Sequence, residues 1–579
     1  MAEESVRLEG GVSAGLPSVR RRFDTSTLVW ASVAVILVVL IANPVFYLIK
    51  ESFLIAEEEG GGWTLGNFVT AFTEPEHTNP IFWTLVIAAL VGVFGLIVGA
   101  AMAWCVSRTD IPFSGFIRNS VLMSFVTPPF LGAIAWIFLA GPRQGWLNII
   151  SRAVTGAAPD DYLFNIFTIS GVVFAMTLYT FPLVFIVVLA GLNNISSDIE
   201  DAANIAGGGT LSTMLSVTLP LVLPALFAGL ILAVLEAMIL FGIPAVLALP
   251  ANIDVMTTQI RAFMESEDDM VGIAAAYSLP MLMVAVWMVY MRRHVLGRRG
   301  YATVGGKGGQ RRPQKLGAWR YPVFLLCLFP ILCALFLPYF MLITTSFLKN
   351  IGDGLVFSNL TLEHYDFILH NDAVRIAFSN TFILAVLAAT AATVVASISA
   401  YITQRQLVRG HKYLSFLATA PLGIPGIVLA VGLFIAYTKE PFLLYGTIWI
   451  LLLAYMTKYL PLAFQTSNAS LMSIHPELEE ASRILGANRL RVFRDVTIPL
   501  FKVGLIASWI LVFMPSLREL SASVLLWTTE TKVISVVIID FYEEALLGPI
   551  SAIAVVLLGI TLVTVVLGFR VVGRDFMKA

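Results

Sequence analysis

Asp201-Ala202-Ala203-x3-Gly207-x12-Pro220 lies between two long apolar runs, and Glu480-Ala481-Ser482-x3-Gly486-x12-Pro499 lies between two others, 279 residues further on with identical spacing. An acidic residue suits the positive end of a helix dipole. The small residues Ala202, Ala203 and Ala481 allow close approach, Gly207 and Gly486 let the chain turn, and Pro220 and Pro499 close the segment. This pattern predicts a short kinked helical hairpin on the face of a membrane bundle, a knob shaped to enter a groove on another protein. Arg483, Arg489, Arg491 and Arg494 add charge suited to pairing with such a partner. A merely amphipathic helix at headgroup level does not explain why one spacing occurs twice.

The surroundings of the twin segments require lipid as solvent. The 579 residues are 58% hydrophobic and only 13% charged, with mean hydropathy +0.87, which excludes a soluble globular chain. The net charge of -1 is uninformative, because the charges are segregated by loop. Cys105, Cys327 and Cys333 show no ligand spacing and read as small buried residues. The first apolar run lacks a small-residue cleavage motif, so it is expected to be a span.

Runs long enough to cross about 30 Å of hydrocarbon fall near 26–49, 80–106, 117–140, 166–192, 218–249 and 271–291, and again near 321–347, 376–402, 413–437, 443–466, 500–526 and 547–569. Uninterrupted apolar stretches satisfy their backbone as helices, whereas a barrel would show alternating ten-residue segments. The expectation is an all-α polytopic membrane protein of about twelve spans. Arg20 to Arg22 precede the first span, and Arg292 to Arg320 is basic without one acidic residue. The positive-inside rule places both in the cytoplasm, which also puts the twin segments and both termini there. Glu57 to Glu59, Glu265 to Asp269, Asp353 to Asp372 and Glu543 to Glu544 then fall outside.

The repetition extends further. Thr84 to Arg108 matches Thr381 to Arg405 at an offset of 297, and Pro182-Leu183 matches Pro461-Leu462 at 279. The first half thus holds about 18 extra residues, in the external loop between Gly141 and Phe167. Six spans per half give a parallel repeat about an axis along the membrane normal. The expected organisation is a tail (1–25), a first half (26–294), a basic linker (295–320) and a second half (321–579). Gly305-Gly306-Lys307-Gly308 in the linker is no phosphate loop, since Tyr301 stands where its first Gly belongs and Gly308 replaces Ser or Thr.

The twin segments match the EAA-x3-G-x9-I-x-L-P pattern, with Asp201 for Glu, Ser482 for Ala, Val217 and Val496 for Ile, and Ile498 for Leu. On these residues the chain resembles the permease subunit of an ATP-binding-cassette importer of type I, MetI-like, in its fused two-half form. The resemblance implies that each segment is a coupling helix seated on a separate ATPase, so that two ATPase copies dock. It also implies an external binding protein that delivers substrate, an inner-membrane location and a transporter rather than an enzyme. No Walker A sequence or extended soluble domain is present, so ATP is expected on the partner and no cofactor in this chain. No nucleic-acid partner is expected. Together with Tyr301-Ala302-Thr303-Val304-x2-Lys307-Gly308 in the linker, the chain resembles most closely the iron(III)-type permeases. Relatives for thiamine, phosphonate, polyamine or phosphorylated small molecules remain open, as does an ion-coupled secondary transporter, which would leave the twin segments without a purpose.

Ionisable residues within spans are costly and mark function. Glu236, Lys458, Arg518 and Glu519 qualify as pathway or gate candidates. Arg518 and Glu519 suggest an internal ion pair as an alternative to a gate, and Lys458, toward the cytoplasmic end of its expected span, is expected to snorkel. Pro128, Pro129, Pro182, Pro244, Pro425 and Pro461 are expected to bend spans. No metal-ligand constellation is visible.

Overall fold

The computed structural model describes residues 25–572 apart from 56–60, 159, 196–198, 200, 201, 204, 268–269 and 298–312. The amino-terminal tail, the middle of the linker and Asp201 of the first twin segment lie outside the described residues. The first half comprises α1 (Leu28–Glu51), α2 (Pro75–Arg108), the pair α3 (Ser114–Val126) and α4 (Pro129–Ala140), the short α5 (Trp146–Thr155), α6 (Ile169–Asn193), α7 (Met214–Ile239) and α8 (Val271–Val295). The second comprises α9 (Gly317–Ser346), α10 (Asp372–Gln404), the pair α11 (His411–Gly423) and α12 (Gly426–Tyr437), α13 (Ile448–Met472), the short α14 (Pro476–Ile484), α15 (Leu490–Ser516) and α16 (Leu547–Gly568).

Ten of these helices are long and apolar enough to cross a bilayer, and the count reaches twelve if each bent pair is one span. The expected spans 117–140 and 413–437 are broken: α3 and α4 meet at 101°, α11 and α12 at 110°. The breaks fall at Pro128 and Pro425, 297 residues apart, where a residue without an N–H ends the ladder and restrains its predecessor. Two other expected spans are shorter than their apolar runs. α7 stops at Ile239 and α15 at Ser516; a break and short helical turns through Ala251 follow the first, and turns and the short helix Ser523–Leu526 follow the second. Pro182 and Pro461, by contrast, sit inside unbroken helices.

Prolines also explain the five π-helical turns among the described residues, at Val38–Ala42, Met214–Thr218, Pro244–Ala248, Leu332–Phe336 and Phe493–Thr497. Each ends two residues before a proline: Pro44, Pro220, Pro250, Pro338 and Pro499. Widening the helix by one residue relieves the clash between the ring and the carbonyl four positions back.

Within each half the closest pairings are α2 with α6 and α10 with α13. Between halves the first helices are exchanged: α1 packs on α12 of the second half, and α9 packs on α4 of the first. Carbonyls displaced by the π turns are recovered across this seam. Tyr437 Oη donates to Val39 O at 3.1 Å and Thr457 Oγ1 to Leu40 O at 3.3 Å. On the other side Trp136 Nε1 donates to Cys333 O at 3.1 Å. Val39 and Cys333 each stand five residues before the proline. Buried carbonyls in lipid need such partners.

Candidate functional site

The sequence candidates separate into two places, the tips carrying the twin segments and a charged cluster at mid-height. In the second tip, α14 begins with Pro476 and carries Glu477 and Glu479 in its first turn, which stabilises its positive end. It ends in a Schellman turn. Ala487 N donates to Ser482 O at 3.2 Å, Gly486 N donates to Arg483 O at 3.0 Å, and Gly486 has φ +91°, a left-handed conformation that glycine adopts at least cost. The first tip repeats this: Gly207 has φ +89° and Gly208 N donates to Ala203 O at 2.9 Å. Pro220 and Pro499 open the next α-helical stretches as N-terminal residues after matched π turns.

Among the motif residues, Ala202 and Ala481 are exposed, Ala203 and Ser482 half-buried, and Glu480 exposed. The acidic residue that anchors the second tip is therefore its neighbour. Glu479, 6% exposed, receives Arg405 Nη2 at 2.9 Å and Nε at 3.1 Å, Thr497 Oγ1 at 3.1 Å, and, on its other oxygen, Tyr401 Oη at 3.2 Å. A charge buried this far needs such a complete set of donors. Arg405 also donates to Ile474 O at 3.1 Å, so the end of α10 holds both the entry and the first turn of α14. Arg108, its counterpart 297 residues earlier, is buried and donates to Leu192 O at 2.9 Å.

The tips also present side chains that the motif did not mark. Ile205 is 87% exposed and Ile484, 279 residues later, 84% exposed, with Leu485 at 88% beside it. The two knobs thus bare matched isoleucines at their tips. Their equal spacing was the only sequence signal for them.

All four pathway candidates converge on one cluster. The two carboxylates and two cations are held near one another: the charges of Lys458, Arg518 and Glu519 all act on Glu236. Lys458 does not snorkel. It is the eleventh residue of the 25 in α13, and its Nζ lies 2.8 Å from both oxygens of Glu519, itself 4% exposed. Glu519 also accepts from Tyr459 Oη and from Ala522 N at 3.0 Å. Arg518 and Glu519, just past the end of α15, take different hydrogen-bond partners. Arg518 instead reaches into the first half, donating to Val126 O and, at 3.3 Å, to Phe125 O. These are terminal carbonyls of α3 at the α3–α4 break, where a cation suits the negative end of the helix. Beside them Tyr339 of α9 bonds Thr127 at 2.9 Å. The cluster is asymmetric: Tyr179 stands where the second half has Lys458, and Leu240 where it has Glu519.

Residues 95–300 and 408–574 match the family described as binding-protein-dependent transport system inner membrane component. The chain belongs to this family, and is thus the multi-pass inner-membrane permease of an ATP-binding-cassette importer whose other parts are an ATPase and a substrate-binding protein. It is 25% identical over 496 residues to the ferric transport system permease protein FbpB of Actinobacillus pleuropneumoniae, covering 85% of this chain and 70% of that one. It is also 25% identical over 540 residues to the Fe(3+)-transport system permease protein FbpB 2 of Haemophilus influenzae, covering 89% and 93%. The spermidine/putrescine transport system permease protein PotC of Escherichia coli (strain K12) matches 42% of this chain and 91% of its own length, at 26% identity.

Proposed function

We propose that this permease imports iron(III) handed over by its binding protein, and that two copies of the ATPase drive it through the paired tips. The ferric names of relatives aligned over most of the chain support the cargo. The coupling role rests on one observation, the matched pair of left-handed glycine turns that bare Ile205 and Ile484. Asp201, Ala202, Ala203, Gly207 and Pro220, with Glu480, Ala481, Ser482, Gly486 and Pro499, make up the two couplers; their small exposed faces and exposed isoleucines enter the ATPase grooves. Both termini and the linker 295–320 lie in the cytoplasm on this reading, between halves 26–294 and 321–579, and ATP binds only on the partner.

Glu236, Lys458, Arg518 and Glu519 act as the gate. Lys458 and Glu519 neutralise each other within the second half, while Arg518 ties that half to the break in the first. ATP binding draws the couplers together and the halves rock, which requires Arg518 to release the α3 carbonyls. Among the described residues no group of three or more His, Cys, Asp or Glu is placed to hold a metal ion. On this reading cargo selection falls to the binding protein, and the permease offers passage.

The test is ATP hydrolysis by the reconstituted complex in liposomes, with binding protein loaded with iron(III), with spermidine or with thiamine. Stimulation by the ferric form alone is expected. Stimulation by spermidine instead would transfer the cargo to the polyamine class, and ATPase that never sediments with the permease would overturn the coupling role.

A further inference from the structure

The two seams between the halves are related by the repeat but closed differently. On one, α8 lies directly against the end of α11: a Cβ on Gly423 would sit 3.2 Å from the Val286 side chain, and Arg293 Nη2 donates to Thr419 Oγ1 at 2.8 Å. On the other, the corresponding residues are Val126 and Val565, and α16 stands away from α3. A groove of about 520 Å³ is left between α3, α9 and α16, walled by Phe116, Met123, Phe336, Tyr339, Gly559 and Leu562. Nothing lies within 4 Å of a Cβ built on Gly559.

The groove is continuous with the lipid-facing surface. Phe116, Phe336 and Leu562 are 45%, 41% and 48% exposed, on helices whose outer faces are bilayer surface. Its charge is one-sided. α3 carries one ionisable charge, Arg118; α9 carries one, Arg320; and the helix of α16, which runs to Val572, carries one, Arg570. These arginines share the linker side of the bilayer: α9 leaves the linker, α16 leads to the carboxyl terminus, and α3 follows Arg108, whose carbonyl accepts from Gln314 N at 2.8 Å. Three cations on the linker side outnumber the carboxylate beside them, Asp110, which accepts from Leu316 N at 2.8 Å, and above an apolar slot they match an anionic lipid.

We propose that this seam is a binding site for an anionic phospholipid of the linker-side leaflet, with one acyl chain in the groove and its phosphate among Arg118, Arg320 and Arg570. The lipid fills on this side the space that protein fills on the other. It lies beside the carbonyl of Val126 that Arg518 holds, so it borders the contact between halves. The site does not depend on the cargo.

The permease in nanodiscs of phosphatidylglycerol and phosphatidylethanolamine is photolabelled with phosphatidylglycerol bearing a diazirine in its acyl chain. Labelled peptides should concentrate in residues 114–126 and 555–565 over the repeat-related 411–423 and 276–286. Gly559→Trp, placed where there is room, should abolish that excess; Leu562→Trp, introduced from the exposed side, is the second variant should the first fail to fold. Native mass spectra should show phosphatidylglycerol retained over phosphatidylethanolamine, and each of Arg118→Gln and Arg570→Gln should lower that preference about fivefold. Equal labelling of the two seams, or labelling indifferent to the tryptophans, overturns the site. Equal retention of the two lipids overturns its anionic specificity.

Discussion

Lys458 and Glu519 show how a single residue can mislead when read alone. As one cation in an apolar run Lys458 resembles a snorkelling surface residue, yet both oxygens of Glu519 are within 2.8 Å of it. Lys458→Met should therefore strand a buried carboxylate and lower stability by about 3–5 kcal/mol, read by thermal unfolding in detergent. Lys458→Met with Glu519→Gln should recover more than half of that loss; a double variant no better than the single would show that the two do not act as a pair. At Gly207 and Gly486 the positive φ angles make a β-branched side chain cost about 1–3 kcal/mol each. Gly207→Val and Gly486→Val should insert normally but lose binding-protein-stimulated ATP hydrolysis. Normal stimulation in both would remove the coupling role from these turns.

At the scale of helices, each proline-induced π turn in a first helix leaves carbonyls that the opposite half caps. Tyr437→Phe and Trp136→Phe delete donors to Val39 O and Cys333 O, and each should cost about 1–3 kcal/mol by stranding a buried acceptor. Because the two pins lie on opposite seams, their effects should add in the double variant; a large deviation from additivity in unfolding midpoints would indicate one shared seam. The repeat offsets and the twin motif were legible because spacing survives in one dimension. In the sequence Pro128 and Pro425 mark bends but not breaks near right angles, since proline composition sets where a ladder ends and packing sets the angle that follows.

Over the whole molecule the exchange of first helices ties each half to the other, while the two tips stay exposed. Ile205→Glu or Ile484→Glu alone should leave the ATPase on the membrane through the remaining tip yet reduce transport by more than half, because both halves must move together. The double substitution should release the ATPase into the soluble fraction. If the double variant retains it, the isoleucines are not the docking surface. Glu479 and Arg405 belong to this scale as well. Their contact joins residues 74 apart in the chain, and the motif pointed to exposed Glu480 instead of its buried neighbour.

By itself the sequence determined the helical membrane class, the parallel repeat and the twin segments, because hydrophobic length, charge placement and fixed spacing are properties of the chain in order. Only the tertiary structure decided which charges meet, that Arg518 crosses to the α3 carbonyls, and that one seam is closed by protein while its counterpart is open. Those depend on how far two packed surfaces approach in three dimensions, a distance that no local pattern encodes.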